Sequence, residues 1–173
     1  MNSNRTDTAL KALIGVLVVV FAWVVVDTMR ETVINVGDSA PSFTVTSETG
    51  KTISVKDFGG KLLVLNFWAT WCPPCVEETP SLSEFAKTFG KEGVVVLAVS
   101  VDHSEKAYKD FLGRFRPAFE TARDASSEIP ASYGTFKYPE TYIINREGKV
   151  VQKVISNRDW MDPDMVASIR RLL

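Results

Sequence analysis

The sequence predicts an α/β domain built on a parallel or mixed sheet flanked by helices, with one apolar N-terminal helix ahead of it. Two apolar runs, Lys61 to Phe67 (KLLVLNF) and Gly93 to Val101 (GVVVLAVSV), are continuous rather than alternating, the pattern of strands covered on both faces. Between them, Val76, Leu82, Phe85, Ala86 and Phe89 recur at helical spacing from Pro73 to Phe89, before Gly90. Strand, helix and strand in that order make a β-α-β unit. The third observation is the run ALIGVLVVVFAWVVV from Ala12 to Val26, 15 residues without a charge.

That run, as a helix, covers ~22 Å of a hydrocarbon core roughly 30 Å thick. Thr8, Ala9 and Leu10 before it, the long amine of Lys11, and Thr28 and Met29 after it extend its reach, so a single transmembrane span is expected. A cleaved signal peptide fits the same basic start. Val24 to Val26, Asp27, Met29 and Arg30 offer no small-x-small cleavage site, however, and no lipobox cysteine follows. Arg5, Lys11 and the α-amino group on one side against Arg30, Asp27 and Glu31 on the other keep the N-terminus in the cytoplasm. Residues 1–36 then form a cytoplasmic tip, transmembrane anchor and linker. Residues 37–173 form a domain on the periplasmic, extracytoplasmic side of the cytoplasmic membrane, where disulfides persist.

The rest of the domain follows in order. SFTVT and KTISV, joined by Glu48-Thr49-Gly50-Lys51, read as an N-terminal β-hairpin. Ser104 caps a helix to Phe115 that Pro117 stops, with Tyr108, Phe111, Leu112 and Phe115 on one side. An extended run at Ala118 to Thr121 leads to a small helix near Ser127 to Tyr133. Glu140 to Ile144 and Lys149 to Val154 flank the turn Glu147-Gly148, and Asp162-Pro163 opens a last helix ending in basic residues.

Composition bounds the function. The 173 residues are 45% apolar with a net charge of −1, too apolar for disorder and without the basic excess that nucleic acid requires. Without three basic and three acidic residues of the first 36, the domain keeps 17 basic against 18 acidic residues. Two cysteines and one histidine exclude a multi-bridge scaffold and a four-cysteine zinc site, so neither a metal nor a cofactor is expected.

The two cysteines stand in Trp71-Cys72-Pro73-Pro74-Cys75, where the first buried strand hands over to its helix. With Cys72 at the cap, Pro73 and Pro74 fill the first two helical positions, where a missing amide hydrogen matters least. The helix start favours a thiolate: such thiols titrate at ~3.5–7.5 against ~8.5 when free. Cys72 is the expected nucleophile, and Cys75, inside the helix and less exposed, the resolving thiol. Closing so short a loop, their bridge would be a poor structural staple.

FWATWCPPC, followed by VEETP and later by YPETYIINREGK, resembles the thioredoxin-like, membrane-anchored thiol–disulfide oxidoreductases of the TlpA/ResA type, related to the CcmG/DsbE proteins of cytochrome c maturation. The resemblance runs from Val36 to Leu173 and implies a thioredoxin-like fold. It implies that Pro139 is cis and lies against the disulfide, with Tyr138 and Trp71 beside it at the substrate-binding rim. Where cytosolic thioredoxins bury an Asp six residues before the first cysteine, this chain has Asn66, which cannot ionise. Glu78, three residues after Cys75, matches the active-site glutamate of the ResA-like branch and is the expected proton partner of Cys75. Pro80 is expected to kink the helix. Tyr138 and Glu140 depart from the pattern around the proline.

The reaction so implied is reduction of protein disulfides, with apocytochrome c as the substrate class and a membrane thiol–disulfide carrier as electron donor. Three other readings remain: a disulfide-donating oxidase, since CPPC alone does not set direction; a peroxidase, disfavoured by the missing Thr-x-x-Cys setting; and a Cu(I) metallochaperone using Cys72, Cys75 and His103. His103 fits better as a loop residue, and Phe67 and Trp68 as core.

Overall fold

A computed structural model describes residues 3–28 and 33–173. The chain divides into two compact units, Met1–Thr32 and Val33–Leu173. In the first, α1 spans Ser3–Thr28. Among the described residues no helix is long and apolar enough to cross a membrane. The uncharged stretch Ala12–Val26 is short by itself, and Met29, Arg30 and Glu31, which the expected span and its orientation draw on, lie outside the described residues.

In the second unit, five strands form one mixed sheet in the order β5-β4-β3-β6-β7: β3 Leu62–Trp68, β4 Val94–Ser100, β5 Glu120–Arg123, β6 Glu140–Ile144 and β7 Val150–Ile155. β3 pairs parallel with β4, and β4 with β5, while β6 runs antiparallel to both β3 and β7. The central strand β3 is buried at all seven positions, as its unbroken apolar run requires.

Both parallel crossovers move the same way along the sheet, so right-handed connections put their helices on one face. From that face α2 (Pro73–Phe89) sends Leu82, Phe85 and Phe89 onto Leu62 and Val64, together with Met165 and Ile169 of α5 (Pro163–Arg170). Tyr108 and Phe111 of α3 (Glu105–Phe115) pack with Trp68 and Ala98 beside the cysteines. The opposite face takes Leu63, Leu65 and Phe67 and is closed by the separate hairpin β1–β2 (Thr44–Thr46, Thr52–Ser54) through Phe43, Val45 and Ile53. Tyr133, just past α4 (Glu128–Ser132), completes that side with edge-on contacts to Phe67.

The caps are local chemistry. Ser104 Oγ accepts from the Ala107 amide at 3.2 Å, and Asp162 accepts from the Asp164 amide at 2.9 Å with Pro163 in the first turn. Gly148, at φ 76°, supplies the left-handed residue of the β6–β7 turn. One strand lies elsewhere than its sequence pattern predicts: β5 starts at Glu120, two residues beyond Ala118. The Ala118 amide is taken by Ser83 Oγ of α2 at 2.8 Å, and the ladder begins only where Glu120 draws level with Leu97.

Candidate active site

The buried strand β3 ends at Trp68, and four residues later α2 begins with Cys72 as its N-cap and Pro73 and Pro74 in the first two positions. Neither proline has an amide hydrogen, so Cys75 carries the first N–H of the helix. It points at Cys72 Sγ from 3.3 Å while lying 3.1 Å from the Cys72 carbonyl. The two sulfurs are joined in a disulfide across a Cα–Cα distance of 5.3 Å. Cys72 is 5% exposed and Cys75 1%, so both are buried and Cys72 is the more accessible of the two.

Sheet register brings the distant proline here. Phe67 lies opposite Glu140 in the β3–β6 ladder, which sets Pro139 one step past the strand at the same end as the Cys72 loop. The Tyr138–Pro139 peptide is cis, and Pro139 is buried. Tyr138 meets Trp71 edge to face at 6.0 Å, and Trp71 is itself 63% exposed. Those two rings form an aromatic rim at this end of the sheet. Phe67 and Trp68 are core, and His103 is an exposed loop residue after β4. Among the described residues no group of three His, Cys, Asp or Glu is placed to hold a metal ion.

Glu78 is the unusual group. It is 4% exposed on α2, one turn beyond Cys75, whereas its neighbour Glu77 is exposed. Oε1 accepts from Asn66 Nδ2 at 2.9 Å; Oε2 accepts from the Arg158 amide at 3.3 Å and the Trp160 indole N–H at 3.4 Å. Burial raises its carboxyl to about 7, against the pull of the three donors. A group divided between acid and carboxylate at neutral pH suits proton exchange. Asn66, which also donates to Thr141 Oγ1 at 2.9 Å, ties β3, β6 and α2 together around it. α2 continues through Pro80 to Phe89.

Sequence reasoning missed two supports. Asp102, 2% exposed after β4, accepts from the Thr70 amide at 2.9 Å, from Thr70 Oγ1 at 2.6 Å and from Ser100 Oγ at 2.6 Å. It thereby holds the loop carrying Trp71 and Cys72; the only signal was a charged residue ending a buried run. Trp160 is fully buried beyond an exposed stretch, and a lone tryptophan after Ser-Asn-Arg-Asp marks that position without revealing its partner.

Fold and dithiol together define a thioredoxin-fold redox protein. The chain belongs to the AhpC/TSA family, whose sequence profile matches residues 36–153. It is 38% identical over 125 residues to the thiol-disulfide oxidoreductase ResA of Bacillus thuringiensis subsp. konkukian, covering 72% of each chain. To the protein of the same name from Bacillus subtilis it is 37% identical over 121 residues, 70% of this chain and 68% of that one. A crystal structure from Chlorobium tepidum, assigned as a thiol:disulfide interchange protein DsbE, superposes with a TM-score of 0.75 at 28% identity, covering 80% of this chain and 98% of that one. The thioredoxin domain of a thiol-disulfide oxidoreductase from Bacteroides vulgatus shares the fold, with a TM-score of 0.71 at 24% identity over 81% and 99% of the two chains. The protein is a thiol–disulfide oxidoreductase similar to ResA.

Proposed function

We propose that the protein is a protein disulfide reductase working outside the cytoplasmic membrane, held there by α1. In the reduced enzyme the Cys72 thiolate, favoured by the helix start and the Cys75 N–H, attacks one sulfur of a substrate disulfide and expels the other as a thiolate. Glu78 takes the Cys75 proton, and the Cys75 thiolate attacks Cys72 Sγ, breaking the mixed disulfide. The substrate leaves with both sulfurs reduced and the enzyme keeps the Cys72–Cys75 disulfide. Pro139, Tyr138 and Trp71 receive the substrate strand. The observation that carries this reading is the Cys75 N–H aimed at Cys72 Sγ on a proline-started helix.

Restoring the dithiol needs two electrons from a membrane thiol–disulfide carrier, and the resemblance to proteins of cytochrome c maturation favours apocytochrome c as the substrate class. Anchoring is supported by the apolar side chains of α1, exposed on all sides from Leu13 to Val26, with Phe21 70% and Trp23 67% exposed. The test is insulin-disulfide reduction. Cys72→Ser abolishes turnover and Cys75→Ser accumulates mixed disulfides; turnover retained in both variants refutes the mechanism. A redox titration giving a potential well above about −150 mV refutes the reductant direction.

A further inference from the structure

The connection from β7 to α5 touches both halves of the site. Its first residue, Ser156, donates its amide to the Pro139 carbonyl at 3.0 Å. Ser156 has φ 73°, a left-handed conformation that serine adopts at an energetic cost. From there the chain is bonded repeatedly to α2. Asn157 Nδ2 donates to Glu77 Oε2 at 3.2 Å, and Ser81 Oγ, whose one hydrogen is shared between the Glu78 carbonyl at 3.0 Å and the Arg158 carbonyl at 3.4 Å, accepts from the Trp160 amide at 3.2 Å. Two of the three donors to Glu78, the Arg158 amide and the Trp160 indole, come from this connection. Ser156 to Asp159 are exposed, yet Trp160 is fully buried, its ring 5.5 Å from Phe85.

We propose that Trp160 is a positioning residue for the exchange reaction: with the Arg158 amide it fixes the Glu78 carboxylate for proton transfer with Cys75. The inference rests on reading Glu78 as the proton partner. Both donors satisfy Oε2, and an N–H donor favours the ionised form over the acid. The donors therefore oppose proton uptake and keep the carboxyl below the value that burial alone would give it. The groups that bond the Glu78 carboxyl carry no charge: the Arg158 backbone amide and the Trp160 indole come from the connection and the Asn66 amide from β3, itself bonded to Thr141 of β6, while Glu77, the neighbouring acid on α2, is exposed.

The experiment is the pH dependence of single-turnover disulfide reduction by the full chain, for the native protein and for Trp160→Phe, Glu78→Gln and the double variant. Glu78→Gln is expected to flatten the limb near neutral pH. Trp160→Phe, one donor fewer, is expected to move the midpoint upward by about 0.5–1 pH unit and to have no further effect when combined with Glu78→Gln. Ser81→Ala, which frees the Trp160 amide, shifts the midpoint the same way by less, and serves where Trp160→Phe does not fold. A flattened limb in Glu78→Gln with unmoved midpoints in Trp160→Phe and Ser81→Ala overturns the inference and leaves the role of Glu78 standing. A limb that persists in Glu78→Gln overturns both.

Discussion

Glu78 Oε1 lies 2.9 Å from Asn66 Nδ2, so an amide that cannot titrate faces a carboxyl that does. The titratable member of this pair therefore sits on the helix that carries the cysteines and not on the central strand.

The raised carboxyl of Glu78 links stability to pH. Its ordinary value is 4.5 and burial moves it to about 7, so the folded state binds the proton more tightly than the unfolded chain. The stabilisation is complete below pH 4.5, shrinks as pH rises towards 7 and is gone above it. From this group alone, oxidised protein is expected to lose about 3 kcal/mol between those limits. Urea midpoints across pH 4.5–8 check it: Glu78→Gln removes that decline, and parallel curves for the two proteins contradict it.

Asp102 binds three donors around the active-site loop. Asp102→Ala leaves the Thr70 amide and two hydroxyls without their acceptor, and is expected to cost about 2–4 kcal/mol. Asp102→Asn keeps one acceptor oxygen and costs less. Denaturant unfolding of the oxidised domain gives both numbers, and equal stability of the alanine variant and the native protein rules the anchor out.

Lys153 and Glu140 form an ion pair at 2.9 Å with side chains 14% and 8% exposed, one residue beyond Pro139. Lys153 Nζ also stands 4.9 Å over the Tyr142 ring. Lys153→Met strands the Glu140 carboxylate and is expected to destabilise by about 3–5 kcal/mol, most of it regained when Glu140→Gln is added. A double-mutant cycle on thermal or urea unfolding measures the coupling; additive losses show that the pair does not interact.

What could be read from the sequence was local. Periodicity located α2 and α3, continuous apolar runs located β3 and β4, and the rule that prolines sit at a helix start placed Cys72 at the cap and opened α5 at Pro163. The cis bond before Pro139 came from resemblance alone, since spacing does not fix an isomer. Contacts between remote residues were invisible: Asn66 with Glu78 across 12 positions, Trp160 with Glu78 across 82. Asp102 looked like a loop charge because nothing in its neighbourhood announces that Thr70, 32 residues earlier, folds back onto it. β5 slid by two residues because a side chain of α2 claimed the Ala118 amide, which no pattern within the strand records.

The paired prolines after Cys72 withhold hydrogens as much as they stiffen a turn. An ordinary helix start offers its leading amides to whatever negative charge gathers there, but here the first two positions have none to give. Of those leading amides, the one from Cys75, belonging to the sulfur's own partner, is directed at Cys72. In the proposed reaction the amide that steadies the Cys72 thiolate therefore belongs to Cys75, the residue whose own sulfur afterwards expels the substrate from Cys72, so attack and resolution draw on one and the same residue.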